Sequence, residues 1–298
     1  MSALAASSTL FESIIELPSA DLRRQADSLI GFTARRERLL RHLSLLSGES
    51  ALREWAAKHH AHELPVLAFL QERYPLVIFA GDVGTGKTAT AEALADTLAR
   101  TSEFDAYLFK LSTRVRGSGR VGEMSTLLNQ AFGEVMEEAG SRKRVTLLLD
   151  EADSLAAARS QEHSHHEDKV AVNTLIQKID ELRRFRGRII VFLCTNRFDV
   201  LDAAIVRRAA IVEIFQRPNE IERHELLERD LRGLDFTPQD LQKLVLATGP
   251  QEGCPGFTYS DLRTRLYPEA VSRAYPERKI SIGDFLSSAS TLGPSPEV

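Results

Sequence analysis

The apolar positions between residues 75 and 218 fall into short runs that are separated by helical stretches. Five runs have the length of a buried strand, and they cover residues 76–80, 107–111, 145–149, 189–193 and 211–215. Helices are predicted between these runs, over residues 87–100, 124–139, 170–184 and 199–208. Strands that alternate with helices indicate an α/β fold, with a five-stranded parallel sheet between helices.

The segments on either side lack this alternation. Residues 20–46 show a helical period with arginines on the polar face, whereas residues 1–20 carry few signals. After Pro218 the pattern predicts helices throughout, and one of them starts at a capping threonine, Thr237. We therefore expect four regions. They are an N-terminal helical extension over 1–74, an α/β domain over 75–218, a small all-helical domain over 219–290, and a disordered tail over 291–298.

Composition narrows the classes of protein to which the chain can belong. Apolar residues make up 43% of its 298 positions and charged residues 27%, as in ordinary globular proteins. The formal net charge of −4 gives no general attraction to nucleic acids or anionic membranes. Cys194 and Cys254 are too few for a disulfide framework or a cysteine metal site, and they fit a reducing cytosol. Since no run approaches the roughly 18 apolar residues of a membrane span, we expect a cytoplasmic protein without a membrane partner.

A glycine-rich loop follows the first predicted strand and precedes a predicted helix. Its sequence is Gly81-Asp82-Val83-Gly84-Thr85-Gly86-Lys87-Thr88, which fits the phosphate-binding pattern G-x-x-x-x-G-K-[ST]. Backbone N–H groups of such a loop surround a polyphosphate, the lysine neutralises its β- and γ-phosphates, and the hydroxyl binds Mg²⁺. A glycine turn that merely contains a lysine is the alternative, and the flanking strand and helix disfavour it. The loop therefore predicts ATP and Mg²⁺ as cofactors.

Polar side chains stand where the third and fourth predicted strands end. Asp150 and Glu151 follow the third strand, and Asn196 follows the fourth. Beside a phosphate loop, Asp150 can hold Mg²⁺ and Glu151 can deprotonate the attacking water. Asn196 can position that water. The alternatives are an acid pair at a helix N-terminus and a turn-forming asparagine.

Two arginines, Arg207 and Arg208, end the fourth predicted helix. One interpretation is that they are cations in the last helical turn, where the helix dipole favours them. The other is an arginine finger that reaches the γ-phosphate of a neighbouring subunit, which requires an oligomer. Of the two, Arg208 is the first candidate for the finger and Arg207 the second.

In the order of these motifs the chain resembles an AAA+ ATPase. Residues 81–88 match Walker A, residues 145–151 match Walker B, Asn196 matches sensor 1, and a helical lid follows. Within AAA+ proteins the chain is similar to the family of pachytene checkpoint and thyroid receptor-interacting proteins, through residues 108–114, 150–159 and 172–180. The resemblance implies a homohexamer that uses ATP to remodel HORMA-domain proteins by threading a segment through a pore. The chain has no room for a separate N-terminal domain before the ATPase core, and in this it resembles the short bacterial branch of the family, which is found in antiphage operons.

The same resemblance implies further site residues. Ile30-Gly31 matches the segment that encloses adenine, although a helix-to-loop turn explains it equally well. Ser260 stands where the family has its sensor 2 arginine, which leaves Arg263 as the candidate, unless Arg263 is an ordinary exposed cation. Arg120 and Val121 match the first pore loop, with arginine in place of the usual aromatic residue. A flexible basic loop is the alternative there.

Two other features suggest different functions. His163, His165 and His166 could form a metal site, but acids and serines surround them, and a loop facing the pore is the better interpretation. Basic clusters at residues 142–144 and 183–188 would suit a DNA-acting AAA+ protein of the helicase-loader or clamp-loader type. Solvated turns explain these clusters more simply. A protein substrate, and no nucleic-acid partner, is therefore the expectation.

Overall fold

A computed structural model describes residues 10–47, 49–60, 62, 64–112, 115, 122–156 and 166–297. The chain forms two compact units. The described residues within Met1–Ser28, Phe32–Ala80 and Thr88–Ile214 make up the first, here called the α/β unit. Those within Leu29–Gly31, Gly81–Lys87 and Phe215–Val298 make up the second, here called the helical unit.

A six-stranded sheet forms the centre of the α/β unit in the part of the chain that the structure describes. Its strands are β1 (Phe11–Leu17), β2 (Leu76–Gly81), β3 (Ala106–Leu111), β4 (Arg144–Leu149), β5 (Ile189–Thr195) and β6 (Ile211–Phe215), in the order β1-β3-β4-β5-β2-β6. The pairs β3–β4, β4–β5 and β5–β2 are parallel, and β1 runs antiparallel to β3. All five predicted strands are present, and the α/β fold class is confirmed.

The sixth strand, β1, lies within residues 1–20, which carry few signals in the sequence. It is an edge strand, and between its buried ends at Phe11 and Leu17 its residues are exposed or half-buried. Because an edge strand tolerates serine and glutamate, its apolar pattern is weak. The helical extension expected over residues 1–74 therefore also contains a strand.

Helices cover the sheet. They are α1 (Ala20–Asp27), α2 (Phe32–Ser47), α3 (Glu49–His59), α4 (Val66–Gln71), α5 (Lys87–Arg100), α6 (Glu123–Ala139), α7 (Asp153–Ala156), α8 (His166–Leu182) and α9 (Ala203–Val206). The helix predicted over 199–208 is wrong in its extent. A 3₁₀ turn over Phe198–Val200 is followed by extended backbone at Leu201, and Asp202 caps the short helix α9.

The core of the α/β unit explains why its central strands read as continuous apolar runs. Every residue of β5 is buried, and so is every residue of β2 except Gly81. Leucine and phenylalanine side chains of α6, such as Leu128 and Phe132, and side chains of α8, such as Leu175, are buried in the same cluster. Each fully buried side chain of this size contributes roughly 1.5–3 kcal/mol relative to exposure.

The helical unit consists of α10 (Glu220–Asp230), α11 (Pro238–Ala247), a π-helical segment (Asp261–Leu266) that continues into α12 (Tyr267–Ser272), and α13 (Ile282–Leu292). Capping boxes start α10 at Asn219 and α11 at Thr237, the latter as the sequence predicts. Its core includes Leu226, Leu244 and Phe285.

The tail expected to be disordered over 291–298 is ordered in part. Residues 291 and 292 belong to α13, and Ser295 donates hydrogen bonds to the carboxylate of Asp261 from its N–H (3.1 Å) and its hydroxyl (2.5 Å). Polar side chains of the preceding helices thus fix a segment whose composition alone indicates a loose end.

Some expectations fall outside the described residues. Arg120, Val121, His163 and His165 lie there, and nothing is described of the side chain of His166 at the start of α8. Among the helices that are described, none is both long and apolar enough to cross a membrane.

Candidate nucleotide site

The phosphate loop needs glycine for two separate reasons. Gly81, Gly84 and Gly86 have φ angles of 145°, 75° and 92°, which L side chains rarely adopt. In addition, a Cβ atom on Gly81 would collide with the backbone carbonyl of Phe215, and one on Gly84 would lie 2.6 Å from the Cβ of Ser260. Backbone conformation and close packing within the helical unit therefore both exclude larger residues.

The ammonium group of Lys87 lies inside this loop. The side chain is buried, and Nζ donates to the carbonyl oxygens of Gly81 and Asp82, each at 2.8 Å. The hydroxyl of Thr85 also donates to the carbonyl of Asp82, at 2.7 Å. The loop is thus closely folded around a positive charge.

Within the α/β unit, the hydroxyl of Thr88 contacts the carboxylate of Asp150. Thr88 Oγ1 lies 3.1 Å from Oδ1 and 3.0 Å from Oδ2 of Asp150, which directly follows β4. Hydroxyl and carboxylate oxygens are the hard ligands that Mg²⁺ prefers. No group of three or more His, Cys, Asp or Glu side chains suitable for a metal occurs among the described residues. A two-oxygen site fits Mg²⁺, which keeps water and phosphate ligands of its own.

Glu151 has an unusual backbone conformation next to Asp150. Its φ angle is +47°, in the left-handed region, and its side chain is exposed. Its N–H donates to Oδ1 of Asp150 at 2.9 Å. The chain therefore turns sharply where the strand ends, and places two consecutive carboxylates there with different surroundings.

The backbone of Asn196 is held by a residue that sequence reasoning missed, Asp153. Oδ1 of Asp153 accepts hydrogen bonds from the N–H groups of Asn196 (3.2 Å) and Arg197 (3.3 Å), and from the hydroxyl of Thr195. Asp153 therefore joins the end of β5 to the segment that follows β4. The available signal was its position three residues after Asp150, at the start of a short helix.

Arg208 forms an ion pair within its own chain. Nε and Nη2 lie 2.5 Å and 3.0 Å from the two carboxylate oxygens of Asp180, and Nη1 donates to the carbonyl of Ala204 at 3.0 Å. The guanidinium carbon also lies 5.2 Å from the centre of the Tyr74 ring. The hydrogen bond to Asp180 raises the pKa of Arg208. Arg207 is exposed at the end of α9.

The residues expected near adenine and the sensor 2 candidate lie in the helical unit. Ile30 is buried in the core of that unit, and Gly31 has a φ of +66°. Nε of Arg263 lies 2.6 Å from Oδ2 of Asp230, and Nη2 lies 3.0 Å from Oδ1. This hydrogen bonding raises the pKa of Arg263. Like Arg208, Arg263 is therefore held by a carboxylate of its own chain.

A contact of the phosphate loop that the motif did not indicate involves Arg217. Nε of Arg217 donates to Oδ2 of Asp82 at 2.6 Å, and both side chains are largely buried, at 11% and 14% exposure. The N–H of Ser260 donates to the carbonyl of Gly84 at 3.2 Å. The loop is thus bonded to two later segments of the helical unit.

Comparisons with known proteins show which family and which solved structures this chain is similar to. The family described as "ATPase family associated with various cellular activities (AAA)" matches residues 77–217. CD-NTase-associated protein 6 from Escherichia coli (strain KTE188) is 54% identical over 290 residues, which cover 97% of each chain. A chain of the E. coli MS115-1 HORMA:CdnC:Trip13 complex is 39% identical, with a TM-score of 0.91 and 97% of both chains covered. Rhizobiales Trip13 is 36% identical, with a TM-score of 0.73, over 96% of this chain and 100% of that one.

Proposed function

This chain belongs to the AAA ATPases, in the family of CD-NTase-associated protein 6, and we propose that it hydrolyses ATP with Mg²⁺ to remodel a HORMA-domain protein. The observation that carries the ATPase proposal is a contact of Thr88, the residue after Lys87. Its hydroxyl lies against both carboxylate oxygens of Asp150. A hydroxyl and a carboxylate meet there beside the residue that neutralises phosphate, as ATP hydrolysis requires.

The roles of the site residues follow from their chemistry. Residues 81–88 bind the phosphates, and Lys87 exchanges its loop carbonyls for phosphate oxygens. Thr88 and Asp150 would hold Mg²⁺, which offsets negative charge on the phosphates. The exposed carboxylate of Glu151 accepts a proton from the attacking water, and Asn196 orients that water. Asp153 keeps the Asn196 backbone in place.

The substrate proposal rests on the relatives. A chain that shares 39% identity and a TM-score of 0.91 with this one belongs to a HORMA:CdnC:Trip13 complex. A neighbour called Trip13 covers 96% of this chain. We infer that this chain acts on a HORMA-domain protein in a bacterial antiphage system, and that it works as a homohexamer in the cytoplasm. The pore residues Arg120 and Val121 and the adenine contacts of Ile30 and Gly31 stay predictions.

Arg208 is the proposed arginine finger of this hexamer. Its pair with Asp180 uses the Nε–Nη2 edge of the guanidinium, and Nη1 donates to the carbonyl of Ala204. To reach a neighbour's γ-phosphate, Arg208 must leave this pair or share it. Arg207, exposed one residue earlier, is the second candidate, and Arg263 is the proposed sensor 2 arginine of the helical unit.

The basic clusters do not favour a DNA-acting alternative. Arg188 donates to the carbonyls of Ala139 and Gly140, at 3.2 Å and 2.6 Å. The guanidinium of Arg183 lies 5.0 Å from the centre of the Tyr74 ring. Two of these cations therefore have contacts within the chain, which weakens the case for a nucleic-acid partner.

The experiment that tests the proposal combines assembly, turnover and substrate capture. We expect the Glu151→Gln variant to retain a purified bacterial HORMA-domain protein in the presence of ATP, whereas Lys87→Ala retains none. Arg208→Ala should hydrolyse ATP poorly, and mixing it with Glu151→Gln subunits should restore part of the turnover. A protein that stays monomeric with ATP and Mg²⁺ while hydrolysing at full speed would refute the hexamer and the finger together.

A further inference from the structure

We propose that Arg217 is a positioning residue for the phosphate loop, and that residues 293–297, here called the strap, hold Arg217 in its place. The inference rests on the proposed ATP site and adds to it a residue and a segment outside the AAA motifs. It predicts that the strap sets the affinity for nucleotide, although it follows the last helix of the helical unit.

The guanidinium of Arg217 joins three segments of the helical unit. Nε donates to the carboxylate of Asp82 in the phosphate loop at 2.6 Å. Nη1 donates to the carbonyl of Gly256 at 2.7 Å, just before the π-helical segment, and Nη2 donates to the carbonyl of Pro296 in the strap at 3.0 Å. A planar fork of fixed geometry suits this task, since a lysine would offer a single nitrogen.

The strap has a second attachment, through Ser295. Its N–H and hydroxyl both donate to the carboxylate of Asp261, which is 2% exposed. Asp261 also accepts from the N–H of Thr258 at 3.0 Å and from Arg265 at 2.8 Å. Ser295 therefore supplies two of the donors around a deeply buried carboxylate, and this anchors the strap next to Pro296.

Asp82 connects this network to the chemistry of the loop. Its carbonyl accepts from Nζ of Lys87 and from the hydroxyl of Thr85, and its carboxylate accepts from the N–H of Val83 at 3.0 Å. A carboxylate in a loop that binds polyphosphate repels the ligand unless a cation neutralises it. Arg217 thus contributes in two ways, because it fixes the backbone at Asp82 and cancels the charge of its side chain.

Arg217→Ala and removal of residues 293–298 are the primary variants, and nucleotide affinity is the primary measurement. We expect the dissociation constants for ATP and ADP to rise about tenfold in Arg217→Ala, which corresponds to about 1.4 kcal/mol. The KM for ATP should rise in parallel while kcat changes less than twofold. The truncated protein should show the same pattern at about threefold. Arg217→Lys, which keeps the charge and loses the fork, should lie between wild type and Arg217→Ala.

Two further variants separate positioning from a general loss of structure. Ser295→Thr keeps the hydroxyl and should behave as wild type, whereas Ser295→Ala should resemble the truncation. Arg232→Ala removes an exposed arginine from the same unit and serves as the matched control. Thermal melting of each variant shows whether it is folded. If Arg217→Ala does not fold, the truncation and the Ser295 pair still decide the question.

Asp82→Asn tests the charge component. It should weaken nucleotide binding less than Arg217→Ala does, and in the Asp82→Asn/Arg217→Ala double variant it should restore part of the lost affinity. Unchanged nucleotide affinity in both folded Arg217→Ala and the truncated protein would overturn the inference. Equal falls in kcat and kcat/KM in these variants, with unchanged nucleotide affinity, would also overturn the inference.

The outcome is distinguishable from failure of the proposed function itself. If wild type binds no ATP, or binds it as well as Lys87→Ala does, the ATPase proposal fails before Arg217 is tested. If wild type binds ATP and Lys87→Ala does not, the ATPase proposal stands. The nucleotide affinity of the strap variants, changed or unchanged, then bears on this inference alone.

Discussion

The strand ends of the α/β unit and the helical unit place their polar side chains by different physical means. At the strand ends, Thr88 and Asp150 meet because parallel strands and the helix after β2 put them there. In the helical unit, Arg217 reaches partners that are 135, 39 and 79 positions away in the sequence, and each contact depends on a side chain. Backbone topology therefore positions the residues of the proposed chemistry, whereas side-chain contacts position the residues that are proposed to set nucleotide affinity.

This difference has a consequence for how the two regions respond to substitution. Residues at the strand ends sit on a buried sheet, so changing one of them removes a chemical group and leaves the scaffold intact. Residues of the helical unit support each other, so changing one leaves a carboxylate without its cation. We therefore expect losses of turnover in the first region, and losses of affinity or stability in the second.

The largest effect is expected for Glu151→Gln. Removal of a general base lowers kcat by roughly 10²–10⁴-fold, while ATP affinity should stay within about twofold because Lys87, Thr88 and Asp150 are unchanged. Single-turnover hydrolysis and equilibrium binding of a fluorescent ATP analogue measure the two quantities. Turnover at the wild-type rate would exclude Glu151 as the base. It would also contradict the expectation that substitutions at the strand ends lower turnover.

The second effect concerns Asp153, which ties the end of β5 to the segment after β4. In Asp153→Ala the N–H of Asn196 loses the carboxylate that accepts its hydrogen bond, whereas the N–H of Arg197 keeps the hydroxyl oxygen of Thr195 at 3.0 Å. We expect kcat to fall about tenfold, equivalent to about 1.4 kcal/mol of transition-state stabilisation, with little change in KM. Asp199→Ala, an exposed aspartate in the following 3₁₀ turn, is the matched control. A rise in KM without a change in kcat would mean that Asp153 acts through nucleotide binding instead.

The two regions also differ in how much of them the sequence predicts. Gly81 to Thr88, Asp150 and the five central strands follow from a motif and from apolar runs, because local pattern and sheet topology determine them. Strand β1 was missed because an edge strand needs few apolar residues. Asp180, Asp230 and Arg217 were missed because no local pattern marks an ion pair between distant positions. The order of residues 293–297 was missed for the same reason, since Asp261 and Arg217 provide it.

A third effect distinguishes a structural Arg263 from a catalytic one. In Arg263→Ala the carboxylate of Asp230, which is 16% exposed, loses a bidentate partner. Hydrogen bonds to charged groups contribute about 1.5–3 kcal/mol, so we expect the free energy of unfolding to fall by about 2 kcal/mol. Urea denaturation of this variant and of the control Arg273→Ala measures the difference. If Arg263 is the sensor 2 residue, kcat also falls about tenfold or more, and the helical unit then contributes to turnover as well as affinity.

The smallest effect is a pH dependence at Asp261. Burial raises the pKa of this carboxyl, but hydrogen bonds from Ser295, Thr258 and Arg265 outweigh burial and lower the pKa from 3.8 to about 2. A carboxyl with a lowered pKa in the folded state stabilises the fold fully above its unfolded value, and this stabilisation is lost as pH falls through the folded value. The free energy of unfolding should thus exceed that of Ser295→Ala by about 1 kcal/mol near pH 5, and the gap should shrink between pH 4 and 2. Because both proteins share every other acid, the difference between them isolates this pair. A gap that stays constant over that range would mean that Ser295 stabilises the fold independently of the charge of Asp261.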